Sequence, residues 1–554
     1  MFKKILLGLL VVAVVVGVTG YVKRKELILF VVANKGLPDV GPNREVNWQQ
    51  GPDTAEVPAD KRPPNIIFIL ADDLGINDIS AFGGGVAGGT MPTPNIDALA
   101  SQGAMFEHAY AGTGTCAPSR AMLMTGRYPT RTGFEFTPTP GGMGRIVSMF
   151  ANDGNNPRLM DYDAAAEENS PVYEEQGLPG SEVTIAEVLQ KRGYHTAHIG
   201  KWHLGEGKEF SAHAQGFDES LLMASGLYLP EDDPEVVNAK IASDPIDKFL
   251  WARMQYATAY NPVDYSDLFA PKGYLTDYYT DEAVNVIKAN KNRPFFLYLA
   301  HWGVHTPLQA AKADYEALSH IKDHRLRVYA AMIRAVDRSV GKVVQTLKEQ
   351  GLEDNTIIVF SSDNGGAGYI GLPDVNKPYR GWKISLFEGG IKVPYFMKWP
   401  AKIKAGTVSK GPVAHIDLMP TLAAAAGADL PTDRIIDGVN LLPFATGEQS
   451  GDPHKTLFWQ SGYYRVVRHE GWKLQTSERP NKDWLFNLTE DPTEQVNLAG
   501  KNPEKLAELK ALLAAHKAGA RKPLYPPKMF GPTWIDKHGD QPKTLDDEYI
   551  YWPN

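Results

Sequence analysis

Two acidic or amide residues follow each of two apolar segments, at the points where two strands are predicted to end. These are Asp72 and Asp73 after residues 65–70, and Asp363 and Asn364 after residues 356–361. Adjacent carboxylates repel one another, so a pair that emerges from an apolar strand is costly unless a cation or hydrogen-bond donors offset the charge. Oxygen ligands of this kind suit Ca²⁺ or Mg²⁺ better than zinc. The residue types therefore predict a site for a hard divalent cation.

The sequence holds a single cysteine, Cys116, so no disulfide can form within the chain. Pro118 suits the first turn of a helix, which places Cys116 at or just before a helix N-terminus. The helix dipole favours an anion at that end. A lone cysteine is more often a small, buried apolar side chain, but the neighbouring Ser119 and Arg120 favour a chemical role.

Further polar side chains lie just past other predicted strands. Lys201 and His203 follow one of them, and His301 and His305 follow another. Taken singly, Lys201 would be a solvated surface lysine and His203 an ordinary hydrogen-bonded histidine. His301 is expected to be structural.

Short β-branched and aromatic runs alternate with segments of helical periodicity from residue 65 onward. The predicted strands are 65–70, 194–200, 294–300, 356–361 and 393–398, and the predicted helices are 95–109, 183–192, 277–289, 326–347 and 415–426. This alternation predicts an α/β fold with a large, mostly parallel central sheet flanked by helices. Ligands bind beyond the carboxyl ends of the strands in such sheets, which is where these polar residues lie.

The pattern changes after about residue 447 to shorter strands, followed by one helix. The predicted strands are 463–468, 471–475 and 484–488, and the predicted helix is 503–518 with Asn502 as its N-cap. These elements predict a smaller C-terminal subdomain with an antiparallel sheet and a packed helix. Two loops, 228–261 and 365–378, are expected to shape substrate access.

Composition and the N-terminus limit the class of protein. The 554 residues are 43% hydrophobic and 22% charged, which excludes a disordered chain. The formal net charge of −8 supplies no basic field, so nucleic acid is not expected as a partner. Lys3 and Lys4 precede an apolar run at 5–18, so residues 1–25 are predicted to be a signal peptide or a membrane anchor. We therefore expect an exported protein, periplasmic or extracellular.

The predicted domain organisation has three parts after residue 25. These are a linker at 26–64, a catalytic α/β domain at 65–447 and the C-terminal subdomain at 448–554.

The run at 116–127 resembles the signature of type I sulfatases, the formylglycine-dependent enzymes of the alkaline phosphatase superfamily. Other family elements occur in order within residues 65–499. They are Gly200, Lys201, Trp202, His203, Leu204 and Gly205; His305, Thr306 and Pro307; Arg380, Gly381, Trp382, Lys383, Glu388, Gly389 and Gly390; and Asp491, Pro492, Glu494, Asn497 and Leu498. Val304 and Lys392 depart from the pattern, because the family often has proline and arginine there.

The resemblance implies hydrolysis of organic sulfate monoesters to an alcohol or phenol and sulfate. Cys116 would be converted by a formylglycine-generating maturation enzyme to Cα-formylglycine, whose hydrate would be the nucleophile. One Ca²⁺ per chain would be bound by Asp72, Asp73, Asp363, Asn364 and the modified Cys116. The ion would lower the pKa of one hydroxyl of that hydrate.

The resemblance also implies roles for five further side chains. Arg120 and Lys201 would hold the hydrate. Lys383 and His305 would neutralise the sulfuryl oxygens and protonate the departing oxygen. His203 would act as general base on the remaining hydroxyl and so release sulfate.

Three alternatives remain open from the sequence. The same nucleophile and metal could serve a phosphonate monoester or phosphodiester hydrolase. A chain whose Cys116 is never matured would be a sulfoglycan-binding protein, and an unmodified thiol would suit a cysteine hydrolase. The substrate could be a sulfated small molecule or a sulfated glycan, because variable loops select it.

Overall fold

The computed structural model describes residues 23, 27–28, 31, 36–152, 156–262 and 267–554. Apart from residue 23, the predicted signal peptide or anchor at 1–25 lies outside the described residues. Within the described part of the chain, every helix is too short or too polar to cross a membrane.

Along the described residues the chain forms 20 strands and 14 helices. The strands are β1 Val40–Gly41, β2 Asn65–Ala71, β3 Ala104–Tyr110, β4 Asp161–Tyr162, β5 His195–Gly200, β6 Glu219–Met223, β7 Val236–Ala239, β8 Thr258–Tyr260, β9 Leu268–Phe269, β10 Phe295–Ala300, β11 Leu308–Ala311, β12 Thr356–Ser362, β13 Tyr395–Lys398, β14 Thr407–Ala414, β15 Thr456–Ser461, β16 Tyr464–His469, β17 Trp472–Glu478, β18 Asn481–Asn487, β19 Met529–Trp534 and β20 Tyr549–Pro553. The helices are α1 Pro94–Ser101, α2 Cys116–Thr125, α3 Pro129–Thr132, α4 Met143–Ala151, α5 Ala164–Glu168, α6 Ile185–Lys191, α7 Pro245–Arg253, α8 Leu275–Ala289, α9 Lys312–Ala317, α10 His324–Glu349, α11 Glu388–Ile391, α12 Leu418–Ala426, α13 Leu442–Thr446 and α14 Pro503–Ala518.

Eleven strands form the central sheet, in the order β1, β9, β8, β6, β5, β10, β2, β12, β13, β3 and β14. Its middle is parallel, since β6, β5, β10, β2 and β12 all run the same way. β13 is antiparallel to both of its neighbours, so the sheet as a whole is mixed. The predicted α/β fold, with a large sheet flanked by helices, is confirmed.

The sheet separates two hydrophobic cores. All seven residues of β2 are buried, and they alternate between the two sides. Ile67 and Ile69 pack into one core, which also contains the apolar face of α10, while Phe68 and Leu70 pack into the other. Burial on both faces explains why this strand is continuously apolar in sequence.

The predicted helix at 95–109 is wrong in its second half. α1 ends at Ser101, and β3 begins at Ala104. Gly103 lies between them, where an added Cβ would come within 2.4 Å of the Met397 carbonyl oxygen. A short run of apolar residues is compatible with either a helix or a strand. Residues 104–110 form a strand because they pair with β13 and β14.

The C-terminal subdomain is built on an antiparallel sheet of β15, β16, β17 and β18. Leu509 and Leu513 of α14 pack against the Leu474 and Leu485 side chains of that sheet. α14 has the predicted bounds, with Asn502 at its N-cap position but no side-chain capping hydrogen bond. β15 was not among the predicted strands, and a further sheet of β4, β19 and β20 lies beside this subdomain.

Residues ahead of β2 also pack onto the catalytic domain. β1 pairs with β9 in the central sheet. Trp48 is buried, and its Nε1 donates to Glu282 Oε2 at 2.7 Å. The part of the predicted linker from residue 36 onward is therefore in contact with the domain that follows it.

A buried charge cluster joins the C-terminal subdomain to the catalytic domain. Lys473 Nζ of β17 lies 2.9 Å from Glu388 Oε1 and 3.0 Å from Glu494 Oε1. Glu494 Oε2 accepts from the Glu388 amide at 2.6 Å, and all three side chains are at most 2% exposed. Glu388 begins α11, so the cluster holds the segment that follows Lys383.

We expect Lys473→Met to lower the free energy of unfolding by about 3–5 kcal/mol at pH 8, because it leaves two buried carboxylates without their cation. Burial, opposed by Lys473, raises the pKa of Glu494 to about 7. At pH 5 this carboxyl can take up a proton, so the loss should be smaller there. Urea denaturation of both proteins at the two pH values tests this, and an equal loss at both would contradict it.

Candidate active site

Two acidic pairs meet at the carboxyl edge of the sheet because β2 and β12 are parallel neighbours. Ala71 is paired with Ser362, so Asp72 and Asp363 leave the sheet side by side. The Asp363 amide donates to the Ala71 carbonyl oxygen at 3.2 Å, and the Asp73 amide donates to Asp363 Oδ1 at 3.2 Å. Both pairs of side chains are buried.

Cys116 is the first residue of α2, as the position of Pro118 predicts. Its Sγ lies 3.7 Å from Asp72 Oδ1 and 3.9 Å from Asp73 Oδ1. Burial, reinforced by Asp363, raises the pKa of the Cys116 thiol well above its ordinary value. The thiolate that a cysteine hydrolase needs is therefore disfavoured.

Arg120, one turn further along α2, ties the two acidic pairs together. Its Nη2 lies 2.9 Å from Asp72 Oδ2 and 2.8 Å from Asp363 Oδ2. Its Nη1 donates to the Lys201 carbonyl oxygen at 2.9 Å and to the Tyr298 hydroxyl at 3.3 Å. The guanidinium is fully buried, and these contacts fix the positions of the carboxylates.

Lys201 and His203 reach the same cluster from the end of β5. Lys201 Nζ lies 2.6 Å from Asp72 Oδ2 and 4.6 Å from the centroid of a Trp302 ring. Among the described residues, His203 Nδ1 is buried without a hydrogen-bond partner. Burial, reinforced by Lys201 and Arg120, lowers the pKa of His203 well below its ordinary value. The ring is therefore neutral at pH 7 and a weaker base than a solvated histidine.

Lys383 contacts Asp73, the second carboxylate of the pair at the end of β2. Its Nζ lies 2.7 Å from Asp73 Oδ2 and donates to the Tyr369 hydroxyl at 3.3 Å. Burial opposes its charge, but Asp73 outweighs burial and raises the pKa of Lys383 well above its ordinary value. The Ile384 amide donates to the Gly114 carbonyl oxygen at 2.6 Å, which joins this segment to the loop that leads into Cys116.

His305 completes the group of side chains predicted from the sequence. Its Nε2 lies 3.6 Å from Asp73 Oδ2, while its Nδ1 donates to the Thr306 carbonyl oxygen at 2.6 Å. The imidazole stacks on Trp302, with ring centroids 4.0 Å apart. The Tyr228 hydroxyl donates to the carbonyl oxygens of Trp302 and His305, so the loop that carries His305 is held from behind.

The structure thus brings every predicted catalytic and metal-binding residue into one cluster, while His301 lies elsewhere and contacts Ser339. Three residues at the site were not predicted. Tyr369 donates to Asp73 Oδ2 at 3.1 Å, Trp302 lies against Lys201 and His305, and Tyr228 supports their loop. Tyr369 lies in the loop 365–378 that was expected to shape access, but nothing in its spacing distinguishes it.

Val304 and Lys392, the two residues that depart from the family pattern, make different contacts. The Val304 amide donates to the Asp72 carbonyl oxygen at 2.7 Å, a bond that a proline could not make. Val304 therefore adds a direct link between the His305 loop and the acidic edge. Lys392 Nζ hydrogen-bonds to His108 Nδ1 at 3.0 Å and lies over the Tyr379 ring.

The donor set at the acidic edge fits a hard divalent cation. Ligand atoms of Asp72, Asp73, Cys116 and His305 all lie within 4.8 Å of one another. Among the described residues, Asn364 Oδ1 is buried without a donor, although its Nδ2 donates to Asp73 Oδ1 at 2.7 Å. A buried carboxamide oxygen without a donor is costly, and a cation that prefers oxygen ligands would satisfy it.

Family models match most of the chain. One described as "Sulfatase" matches residues 64–428, and one described as "N-sulphoglucosamine sulphohydrolase, C-terminal" matches residues 381–518. Human N-acetylgalactosamine-6-sulfatase is 33% identical over 386 residues, which are 69% of this chain and 66% of that protein. Human steryl-sulfatase is 32% identical over 489 residues, with 77% of each chain covered.

Solved structures show the same architecture. A structure described as Ps i-CgsB in complex with k-i-k-neocarrahexaose has a TM-score of 0.68 and 32% identity, and the match covers 84% of this chain and 95% of that chain. The phosphonate monoester hydrolase SpPMH from Silicibacter pomeroyi has a TM-score of 0.57 at 20% identity, covering 83% and 96%. At that identity the second likeness shows a shared fold alone.

Proposed function

Because the chain belongs to the sulfatase family and is a sulfuric ester hydrolase, we propose how its own residues cleave the ester. The nucleophile is the side chain of residue 116, matured from cysteine to Cα-formylglycine by a formylglycine-generating enzyme. The observation that carries this proposal is the position of Cys116 Sγ, 3.7 Å and 3.9 Å from the Asp72 and Asp73 carboxylates and at a helix N-terminus. Hydrated formylglycine would supply two hydroxyl groups on one carbon, which neither serine nor cysteine offers.

A divalent cation, with Ca²⁺ proposed, would be held by Asp72, Asp73, Asp363, Asn364 and residue 116. It would supply a Lewis acid that lowers the pKa of a hydroxyl and draws in an anionic ester. Arg120 fixes two of these ligands in place, since its Nη2 donates to Asp72 Oδ2 at 2.9 Å and to Asp363 Oδ2 at 2.8 Å.

Cationic side chains bind the sulfate group. Lys383 is held protonated by its environment beside Asp73, and Lys201 lies beside Asp72. Together they neutralise the sulfuryl oxygens as negative charge redistributes toward the departing oxygen. His305 faces the same region with Nε2. We propose that Lys383, which is protonated, donates the proton to that oxygen, and that His305 can do so only as the imidazolium, because burial and Lys383 lower its pKa.

His203 moves a proton in the step that releases sulfate. Its ring is neutral and its buried Nδ1 has no hydrogen-bond partner among the described residues. The sulfate group bound beside it is an anion, which would raise the pKa of this ring, and we assign to the neutral imidazole the removal of the proton from the second hydroxyl on residue 116. Lys201 and Arg120, which both contact Asp72 Oδ2, would hold the hydrate during this step.

The names of the relatives point to more than one class of substrate. One relative is named for a sulfated amino sugar, another for steryl sulfates, and a structural neighbour was solved with an oligosaccharide. We propose a sulfated small molecule or a sulfated glycan as the substrate. We also propose export to the periplasm or extracellular space, because the apolar run at 5–18 is flanked by lysines.

The test is turnover of 4-nitrophenyl sulfate by matured protein, compared with a phosphonate monoester and a phosphodiester. We expect the sulfate ester to be preferred, and preference for a phosphorus ester would replace the proposal. The mass of the peptide that carries residue 116 should show loss of sulfur and gain of oxygen. An unmodified cysteine in protein that fails to turn over any ester would instead favour a sulfoglycan-binding protein.

For the cation, we expect Asn364→Ala to weaken Ca²⁺ affinity at least about tenfold, because it removes a buried oxygen without changing the charge of the site. Titration of chelator-treated protein with Ca²⁺, followed by calorimetry, measures this directly. Asn364→Asp should restore binding, since it keeps an oxygen at the position. The matched control is Asn290→Ala, a buried asparagine at the end of α8, which should leave the affinity unchanged. Equal affinity in wild type and Asn364→Ala would show that the cation site is wrongly assigned.

A further inference from the structure

A cavity of about 430 Å³ opens directly from the catalytic cluster. Its floor is formed by the side chains Cys116, Lys201, His203, His305 and Lys383. When a sulfate ester is bound at that floor, its alcohol part must extend into this cavity. The chemistry of the remaining walls therefore bears on which alcohols fit.

One wall is helix α7 (Pro245–Arg253), whose apolar side faces the cavity. Ile246, Phe249 and Leu250 recur at the spacing of one helical face, line the cavity and are each only partly buried. The apolar face of a surface helix ordinarily packs against the core. Here Asp247 is the buried residue of the helix. The apolar side of α7 is thus turned toward space that a ligand can occupy.

The other walls are apolar and deformable. Helix α4 (Met143–Ala151) packs against α7 and contributes Met143 and Val147. Five of the chain's 14 methionines line the cavity, namely Met143, Met160, Met223, Met254 and Met529. Methionine is flexible and polarizable, so such a wall adapts to apolar ligands of different outline.

Apolar side chains outnumber polar ones away from the floor, and several of the polar ones already have hydrogen-bond partners. Among the described lining residues, the charged side chains there are Glu206 and Arg253. Tyr173 donates to Glu206 Oε1 at 3.1 Å, and the Asn554 side chain exchanges hydrogen bonds with the Thr137 backbone. A sugar would bring hydroxyl groups against methionine, leucine and phenylalanine side chains, where they would lose water without gaining partners.

We infer that the alcohol released by this enzyme is bulky, apolar and uncharged, with a polycyclic or extended aryl skeleton, and that Phe249 and Leu250 select for it. The inference rests on the proposed function, because it takes the sulfate group to be bound at the floor. It narrows the substrate from sulfate esters in general to those with a hydrophobic leaving group.

Binding is measured first, without catalysis, so that the reactivity of different esters does not enter. Calorimetry on the Cys116→Ala variant would compare estrone 3-sulfate with galactose 6-sulfate. We expect the polycyclic sulfate to bind at least about tenfold more tightly. Equal binding, or tighter binding of the sugar sulfate, would overturn the inference.

Variants then locate the preference on α7. Phe249→Ala in matured enzyme should lower kcat/KM for estrone 3-sulfate roughly tenfold to hundredfold, and by a clearly larger factor than it lowers kcat/KM for 4-nitrophenyl sulfate, because the smaller ester offers less apolar surface to the cavity wall. Trp251→Ala is the matched control, since Trp251 lies on the same helix but packs against Lys240 instead of lining the cavity. Equal losses in both variants would overturn the assignment to Phe249. If matured wild-type protein fails to hydrolyse 4-nitrophenyl sulfate, the proposed function is refuted. The preference for an apolar alcohol is tested separately, because the binding comparison does not require turnover.

Discussion

Replacing Cys116 by alanine is expected to lower kcat/KM for 4-nitrophenyl sulfate by on the order of 10⁴-fold or more, because the substitution removes the attacking group. The fold should survive, since Cys116 is a small side chain in the first turn of α2 and the helix is held by Arg120. Steady-state kinetics measure the loss, and thermal unfolding of the variant checks that the protein is intact.

Cys116→Ser distinguishes the proposed aldehyde hydrate from an ordinary nucleophile. A serine offers one hydroxyl, so it could accept sulfate once but has no second hydroxyl to drive release. We expect at most about one equivalent of 4-nitrophenol per chain, in serine protein whose residue 116 is shown by mass spectrometry to be unmodified. Multiple turnovers by that protein, or full activity with unmodified Cys116, would rule out formylglycine as the nucleophile.

Lys383→Ala is expected to slow the first chemical step by roughly 10²–10³-fold, the scale for removing one group that stabilises developing charge. The pKa of this lysine is raised by Asp73 despite burial, so it is positively charged when the ester binds. Rapid-quench kinetics with an aryl sulfate should show slow release of the phenol without a burst. Lys392→Ala is the matched control, because it removes a buried lysine that contacts His108 instead of the cluster.

His203→Ala should instead slow the second chemical step, the release of sulfate from residue 116. A burst of about one equivalent of phenol should be followed by slow turnover, and the peptide that carries residue 116 should gain the mass of sulfate. The contrast with Lys383→Ala lies in which step is slowed, not in the size of the loss. The two roles are wrongly assigned if His203→Ala shows no burst and no added mass while Lys383→Ala accumulates the added mass.

The sequence was sufficient for the parallel centre of the sheet and for the acidic edge of the site. Strands β2 and β12 contain the apolar runs 66–71 and 357–360 because both of their faces are buried, and this is a local signal. The residues that follow parallel neighbours must lie at one edge, so Asp72 and Asp363 could be predicted to lie together. Cys116 could be placed at a helix N-terminus because proline in the first turn is also a local signal.

Other features depended on contacts between segments far apart in the chain. The segment 104–110 is a strand because β13 and β14 pair with it, and no local pattern carries that information. Tyr369 and Trp302 reach the site from loops whose paths are set by packing. The apolar walls of the cavity come from α4, α7 and β19. Their spacing in sequence predicts an apolar helix face but not what it faces, because only the assembled fold decides whether that face meets the core or a space for ligand.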